Sequence, residues 1–330
     1  GHLRCIDRLL SDFAQNKHFP LVMLNRLKRI LAIKKQLPFK FRLLCLFGIG
    51  LSATILSGAD PSYYLLGGMT TTSIEIIVYS LNNYLRLFKL FNEFLACFLA
   101  FVTASFANHY FNLPTPVFTI GTLAFVVPGL LMTTAISEVV DQNYLSGTIR
   151  LLKTASTLMA MALAYFLSKD ISHFLGWQDS THFYLHTNFI PPIWLKLSAS
   201  IIIIFSFSLL FQAHRKSLLR ILLCGLSGTL TFSLFVNNSY MVLASFAAAF
   251  TIGFVSYKIS RRFNHPSQIY SVPSILSLVP GMLAFSSFGY SSSAINFGIN
   301  SAVQALLVSL AIVFGLALGR IKLNLKKIPY

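Results

Sequence analysis

Charge is what this sequence has least of. Of its 330 residues, 11% are Asp, Glu, Lys or Arg, against 55% that are hydrophobic, whereas a water-soluble domain carries about 25% charged residues. So little charge cannot cover a water-exposed surface, which excludes a soluble globular core and a disordered chain alike. Cysteine is scarce too. Cys5, Cys45, Cys97 and Cys224 form no C-x-x-C and no metal-ligand spacing, so neither a disulfide scaffold nor a zinc module is indicated. Asp179, His182 and His186 have helical ligand spacing but no fourth ligand, and neither a metal nor any other cofactor is expected. Acids number nine against 26 Lys and Arg, a formal net charge of +17. On a soluble fold that excess would point to nucleic acid. Here the cations punctuate apolar runs, so no nucleic-acid partner is expected and the excess reads as membrane topology.

What the sequence does have is apolar runs of the length that crosses a bilayer, about 20 residues. They fall near 41–58, 62–82, 91–111, 115–137 and 148–168, and again near 193–211, 217–236, 240–258, 269–289 and 299–319. The expected fold is an all-α integral membrane protein of ten transmembrane helices. On a ten-helix zigzag, all of the 26 basic residues except Lys169 and Lys196 lie on one side. The positive-inside bias then puts both termini in the cytoplasm, in a plasma (inner) membrane setting. The chain begins at Gly1, not Met, and residues 1–40 interleave Lys and Arg with Leu and Ile. That segment is expected to be a cytoplasmic or interfacial helical region, truncated from a longer one.

Two stretches repeat. Phe125-Val126-Val127-Pro128-Gly129-Leu130-Leu131 matches Ser277-Leu278-Val279-Pro280-Gly281-Met282-Leu283, each in the fourth span of a five-span group. The expected organisation is a first half at 41–169, an external connecting loop at 170–192, a second half at 193–320 and a cytoplasmic tail at 321–330. An odd number of helices per half makes the two halves inverted-topology repeats, an architecture of secondary transporters that bind substrate near the midplane. Pro interrupts a helix because it lacks an N–H and clashes with the preceding turn. The half-helix that restarts after it offers N–H groups and a positive dipole end to a carboxylate. Pro128, Gly129, Thr133 and Thr134, with Pro280, Gly281, Ser286 and Ser287, are therefore the expected substrate-binding residues.

Glu75 sits inside the second span and shares a helix face with Thr71 and Tyr79. An intramembrane carboxylate is costly and faces a cavity or a partner, which makes Glu75 the leading proton carrier. Glu138, Asp141 and Arg150 lie where the fourth span ends and the fifth begins, and read as a gate, a proton exit or an interfacial salt bridge. Asn296, Asn300 and Gln304 form a polar stripe, either lining a pathway or bonding helix to helix. A membrane-embedded enzyme acting on lipid-linked substrates would need acids, histidines or a nucleophile clustered at one face. Glu138 and Asp141 have no such company, so an enzyme is the weaker reading, and a passive channel or a scaffold is a further rival.

The run from Val127 to Glu138, continuing through Tyr144 to Arg150, resembles the signature of the threonine/serine exporter (ThrE-type) family. That pattern is a Pro-Gly, an acid nine positions after the Gly, a Ser-Gly and an Arg, matched by Pro128, Gly129, Glu138, Ser146, Gly147 and Arg150. Val272-Pro273 and Leu278-Val279-Pro280-Gly281 resemble the smaller partner domain that some members carry as a separate polypeptide. The likeness covers roughly residues 24–320. It departs from the family at Glu138 (usually Asp), Thr134 (often Asn) and Gln142-Asn143 (Gly-Asp). The resemblance implies export of small hydroxylated amino acids, with dicarboxylate (succinate-like) export, known for related split proteins, as the alternative. Proton-coupled alternating access is the mechanism expected. The expected partners are a small carboxylate substrate, protons and the lipid bilayer, with homo-oligomerisation left open.

Overall fold

A computed structural model of the chain describes residues 38–85, 88–113, 115–126, 128–177, 191–235, 240–263, 265–278 and 295–320. Among these residues the regular elements are all helical: α1 (Phe39–Leu56), a short 3-10 turn (Pro61–Tyr63), α2 (Tyr64–Leu85), α3 (Lys89–Phe111), α4 (Thr115–Val126), α5 (Gly129–Val140), α6 (Tyr144–Phe174), α7 (Ile193–Leu210), α8 (Arg215–Phe235), α9 (Met241–Phe263), α10 (Gln268–Ile275) and α11 (Ile295–Arg320). Proline sets several entries. Pro38 and Pro192 stand at the N-caps of α1 and α7, where a missing N–H costs nothing. Gly58 turns the chain out of α1 at φ 82°, a left-handed conformation that glycine adopts without penalty.

Among the described residues, eight helices are long and apolar enough to cross a membrane: α1, α3, α4 with α5 taken as one span, α6, α7, α8, α9 and α11. The other two expected spans fare differently. α2 has the length, but Thr70, Thr71, Thr72, Ser73, Glu75, Asn82 and Asn83 dilute its hydropathy. The ninth expected span is described only as α10 and the turn to Leu278. α6 also runs past residue 169 to Phe174, so Asp170 is helical and not in a loop.

Neighbours are set by close fit, since apolar side chains gain little from leaving lipid for one another. α1 packs on α2 and α4, α2 on α3 and α4, α3 on α4 and α6, and α5 on α6. Among the later helices α7 packs on α8 and α10, α8 on α9 and α10, and α9 on α10 and α11. The two groups meet along α1·α7 and α5·α11. One core joins Cys97 and Phe101 of α3 to Leu123 of α4 and Met161 of α6. A second joins Leu46 and Ile49 of α1 to Ile204 and Phe207 of α7, Ile221 of α8 and Tyr270 of α10. Gly50, Gly67 and Gly121 let the backbones of α1, α2 and α4 nearly touch. Exposed Leu152, Met159, Leu163 and Phe166 give α6 an apolar outer face, as a lipid-facing surface requires.

Candidate functional site

The first Pro-Gly stretch interrupts its span as expected for a residue that removes a helical hydrogen bond. α4 ends at Val126, and α5 restarts with Pro128 as N-cap, Met132 N donating to Pro128 O at 2.9 Å. The N–H groups of Gly129, Leu130 and Leu131 precede that first helical bond. Pro128, Gly129 and Thr133 are buried, and Thr134 half-buried. Thr133 Oγ1 donates to Leu130 O at 3.1 Å, and Thr134 Oγ1 donates to the same carbonyl at 2.8 Å. Each hydroxyl thus spends its proton on its own helix, which leaves it an acceptor and not a donor for any further partner. Thr122, less than two turns before the break, is buried with its hydroxyl unpartnered among the described residues. Sequence reasoning passed it over. The counterparts Pro280, Gly281, Ser286 and Ser287 lie outside the described residues.

The polar stripe of α2 faces α1. Thr71 Oγ1 sits against the Gly50 and Gly121 backbones, Glu75 forms an ion pair with Arg42, and the Tyr79 ring stacks on Phe39 with centroids 4.2 Å apart. Arg42 lies in the first turn of α1, so the pair is near one end of the bundle. The Glu75 side chain is 11% exposed and that of Arg42 40%, an asymmetry that decides which partner depends on the other.

At the end of α5, Glu138 Oε1 meets Arg150 Nε at 2.8 Å, so the ion pair anticipated from sequence is formed. Glu138 Oε2 is buried with no hydrogen-bond partner among the described residues. Gly147 makes the approach possible, because any Cβ there would collide with Val139. Asp141 begins the turn into α6 and is exposed. Its neighbour Gln142 has φ 63°, a left-handed conformation worth about 1 kcal/mol of strain in an L-residue. Gln142→Gly is expected to raise stability by about 0.5–1 kcal/mol, read as a higher melting temperature of the purified protein; a lower one would mean that the Gln side chain holds the turn.

Glu93 of α3 accepts from Thr157 Oγ1 of α6 at 2.9 Å and lies 3.8 Å from Lys89. Other cations rest on rings: Arg220 over Phe263 and Lys258 over Phe254. Asn300 and Gln304 are exposed on α11, and the side chain of Asn296 lies outside the described residues. Asp179, His182 and His186 are likewise outside the described residues. Among the described residues no group of His, Cys, Asp and Glu could hold a metal. A cavity of about 620 Å³ between the start of α9 and the middle of α11 is lined by Val242, Leu243, Phe246, Leu307, Leu310 and other apolar residues, and includes none of the groups above.

A family model described as "Putative threonine/serine exporter" matches residues 1–171, and a second, "Threonine/Serine exporter, ThrE", matches residues 196–321. A Haemophilus influenzae protein whose name is given only as "Uncharacterized protein" is 30% identical over 122 residues, covering 34% of this chain and 41% of that protein. The chain thus spans about two fifths of the length of this curated relative. No solved structure matches it.

Proposed function

Because the chain belongs to the threonine/serine exporter family, we propose that it is a secondary transporter that exports small polar carboxylates, threonine and serine first. Exporter-type transport across a membrane is the family's activity, and the apolar helices fit it. The finer reading is ten spans in two inverted halves, 41–169 and 193–320, joined by the external segment 170–192. Segments 1–40 and 321–330 then lie in the cytoplasm beneath the plasma membrane. Support comes from the neighbour pattern. In each group the second span packs on the first, third and fourth, the fourth also on the first and third, and the third on the fifth. Two halves built on one plan pair their helices alike.

The observation that carries the transport reading is the interruption at Pro128, which opens the start of α5 inside the span. A carboxylate suits the N–H groups there, and the acceptor lone pairs of Thr133 and Thr134 suit the ammonium of an amino acid. Pro280, Gly281, Ser286 and Ser287 would complete the site from the second half, with Thr71, Asn296, Asn300 and Gln304 as polar lining. Glu75 carries the coupling proton: protonating it cancels its charge and releases Arg42, and with it the tie between α1 and α2. Glu138 and Arg150 gate the far end of α5.

Reconstituted into liposomes, the protein should move L-threonine in response to an imposed pH gradient, with a protonophore collapsing the response. Glu75→Gln should retain threonine exchange at zero gradient yet lose the response to pH. A variant as gradient-driven as the parent removes Glu75 from the mechanism, and a gradient-insensitive parent makes the protein a channel. Succinate in the same panel separates the dicarboxylate reading.

A further inference from the structure

We infer that the ends of α5, α10 and α11 form a second binding site, one that takes the zwitterionic head of a small α-amino acid, with Arg320 receiving the carboxylate and Asp141 the ammonium. Arg320 closes α11. Its Nη2 donates to Ser271 Oγ of α10 at 2.7 Å, and Ser271 is fully buried. The Nε of the same guanidinium is buried without an acceptor among the described residues. An unsatisfied buried donor on a cation is expensive, and a guanidinium edge is shaped to take a carboxylate.

Charge economy narrows what could fill it. The chain holds only nine acids. Glu75, Glu93 and Glu138 are committed to Arg42, Lys89 and Arg150. Asp60 lies at the opposite end of the α1–α2 hairpin and Asp170 near the far end of α6. That leaves Asp141 as the described acid near Arg320. α5 lies alongside α11, Met132 and Ile136 packing with Ala305 and Val313, so the residue after α5 arrives beside the end of α11. Asp141 thus stands at the same end of the bundle as Arg320, and the two form no ion pair. A cation with an open donor and a carboxylate kept apart from it present the two poles that an amino-acid zwitterion offers in reverse. Neither a dicarboxylate nor an amine matches both.

This site stands on geometry; only its role, loading substrate at the inner face, rests on the export reading above. The test is calorimetric binding to the purified full chain of L-threonine, of L-threoninol, which lacks the carboxylate, and of 3-hydroxybutyrate, which lacks the ammonium. Threonine should bind at least about tenfold more tightly than either analogue. Arg320→Gln should weaken threonine by about tenfold or more and leave threoninol unchanged. Asp141→Asn should weaken threonine and leave 3-hydroxybutyrate unchanged, and each unchanged analogue reports that the variant is folded. A parent without preference, a variant that weakens threonine and its analogue alike, or variants that change nothing each overturn the site. The parent binding in this pattern but moving no threonine in liposomes would sink the transport reading and leave the site intact. Unaltered threonine affinity in Arg320→Gln beside normal transport would do the reverse.

Discussion

Arg42→Gln is expected to destabilise the protein by about 2 kcal/mol, and Glu75→Gln by less than about 1 kcal/mol. The two residues form one ion pair, but they are not equivalent. The Glu75 side chain is 11% exposed and is held in the α1–α2 seam between Thr71 and Tyr79, whereas that of Arg42 is 40% exposed. Removing Arg42 strands a carboxylate in a seam largely closed to water, and breaking a fully buried pair in this way costs about 3–5 kcal/mol. The lower figure reflects the solvent that already reaches the arginine. Removing Glu75 strands only a long side chain that can swing its head into water. The double variant should therefore resemble Glu75→Gln and not the sum of the two. Melting temperatures of the four proteins in one detergent decide the matter. If Glu75→Gln were the more damaging, Arg42 would be the buried partner and the burial asymmetry irrelevant.

How much of this was legible in the sequence varies with the distance over which each feature is encoded. The spans were readable because bilayer-length apolar runs are local, and α1, α3 and α7 to α9 begin and end within a few residues of expectation. The interruption at Pro128 is local too, since one ring removes one hydrogen bond. Glu138 and Arg150 were paired from sequence because one short turn separates their helices. Arg42, by contrast, read only as a topology marker. Its bond to Glu75 depends on the register of the α1–α2 hairpin, which pairs residues about equally far from the turn at Ser57–Tyr63, a signal present but not used. Arg320 was likewise counted only as an inner-side cation, because nothing near it in sequence reveals Ser271 or Asp141. That Thr133 and Thr134 spend their hydroxyl protons on Leu130 O is also a local effect, because threonine in a helix commonly donates to the carbonyl one turn back.

Gly315→Ala and Gly319→Ala are each expected to destabilise by about 1–3 kcal/mol, whereas Gly225→Ala should cost less than about 1 kcal/mol. All three are helical, so alanine gains about 1 kcal/mol of helix propensity at each, and the environment decides the net sign. A Cβ on Gly315 would lie 2.5 Å from the Phe246 carbonyl oxygen and 3.0 Å from the Ala249 Cβ. A Cβ on Gly319 would overlap the Phe250 carbonyl, and from the other side a Cβ on Gly253 would lie 2.8 Å from Leu316 O. The nearest obstacle at each is backbone, so the α9–α11 seam can relieve the clash only by separating the helices and giving up packing along their length. At Gly225 the first obstacle is Cδ1 of Ile204, the end of a side chain that can rotate away. The four-residue spacing of Gly315 and Gly319 puts both on one face, the small-xxx-small arrangement of close helix pairs in membranes. Since α11 carries Arg320 at its end, a loosened seam should also displace the guanidinium from Ser271. Gly319→Ala should then lose threonine affinity together with thermal stability, while Gly225→Ala keeps both. Stabilisation by alanine at either seam glycine would mean that α9 and α11 do not meet backbone to backbone.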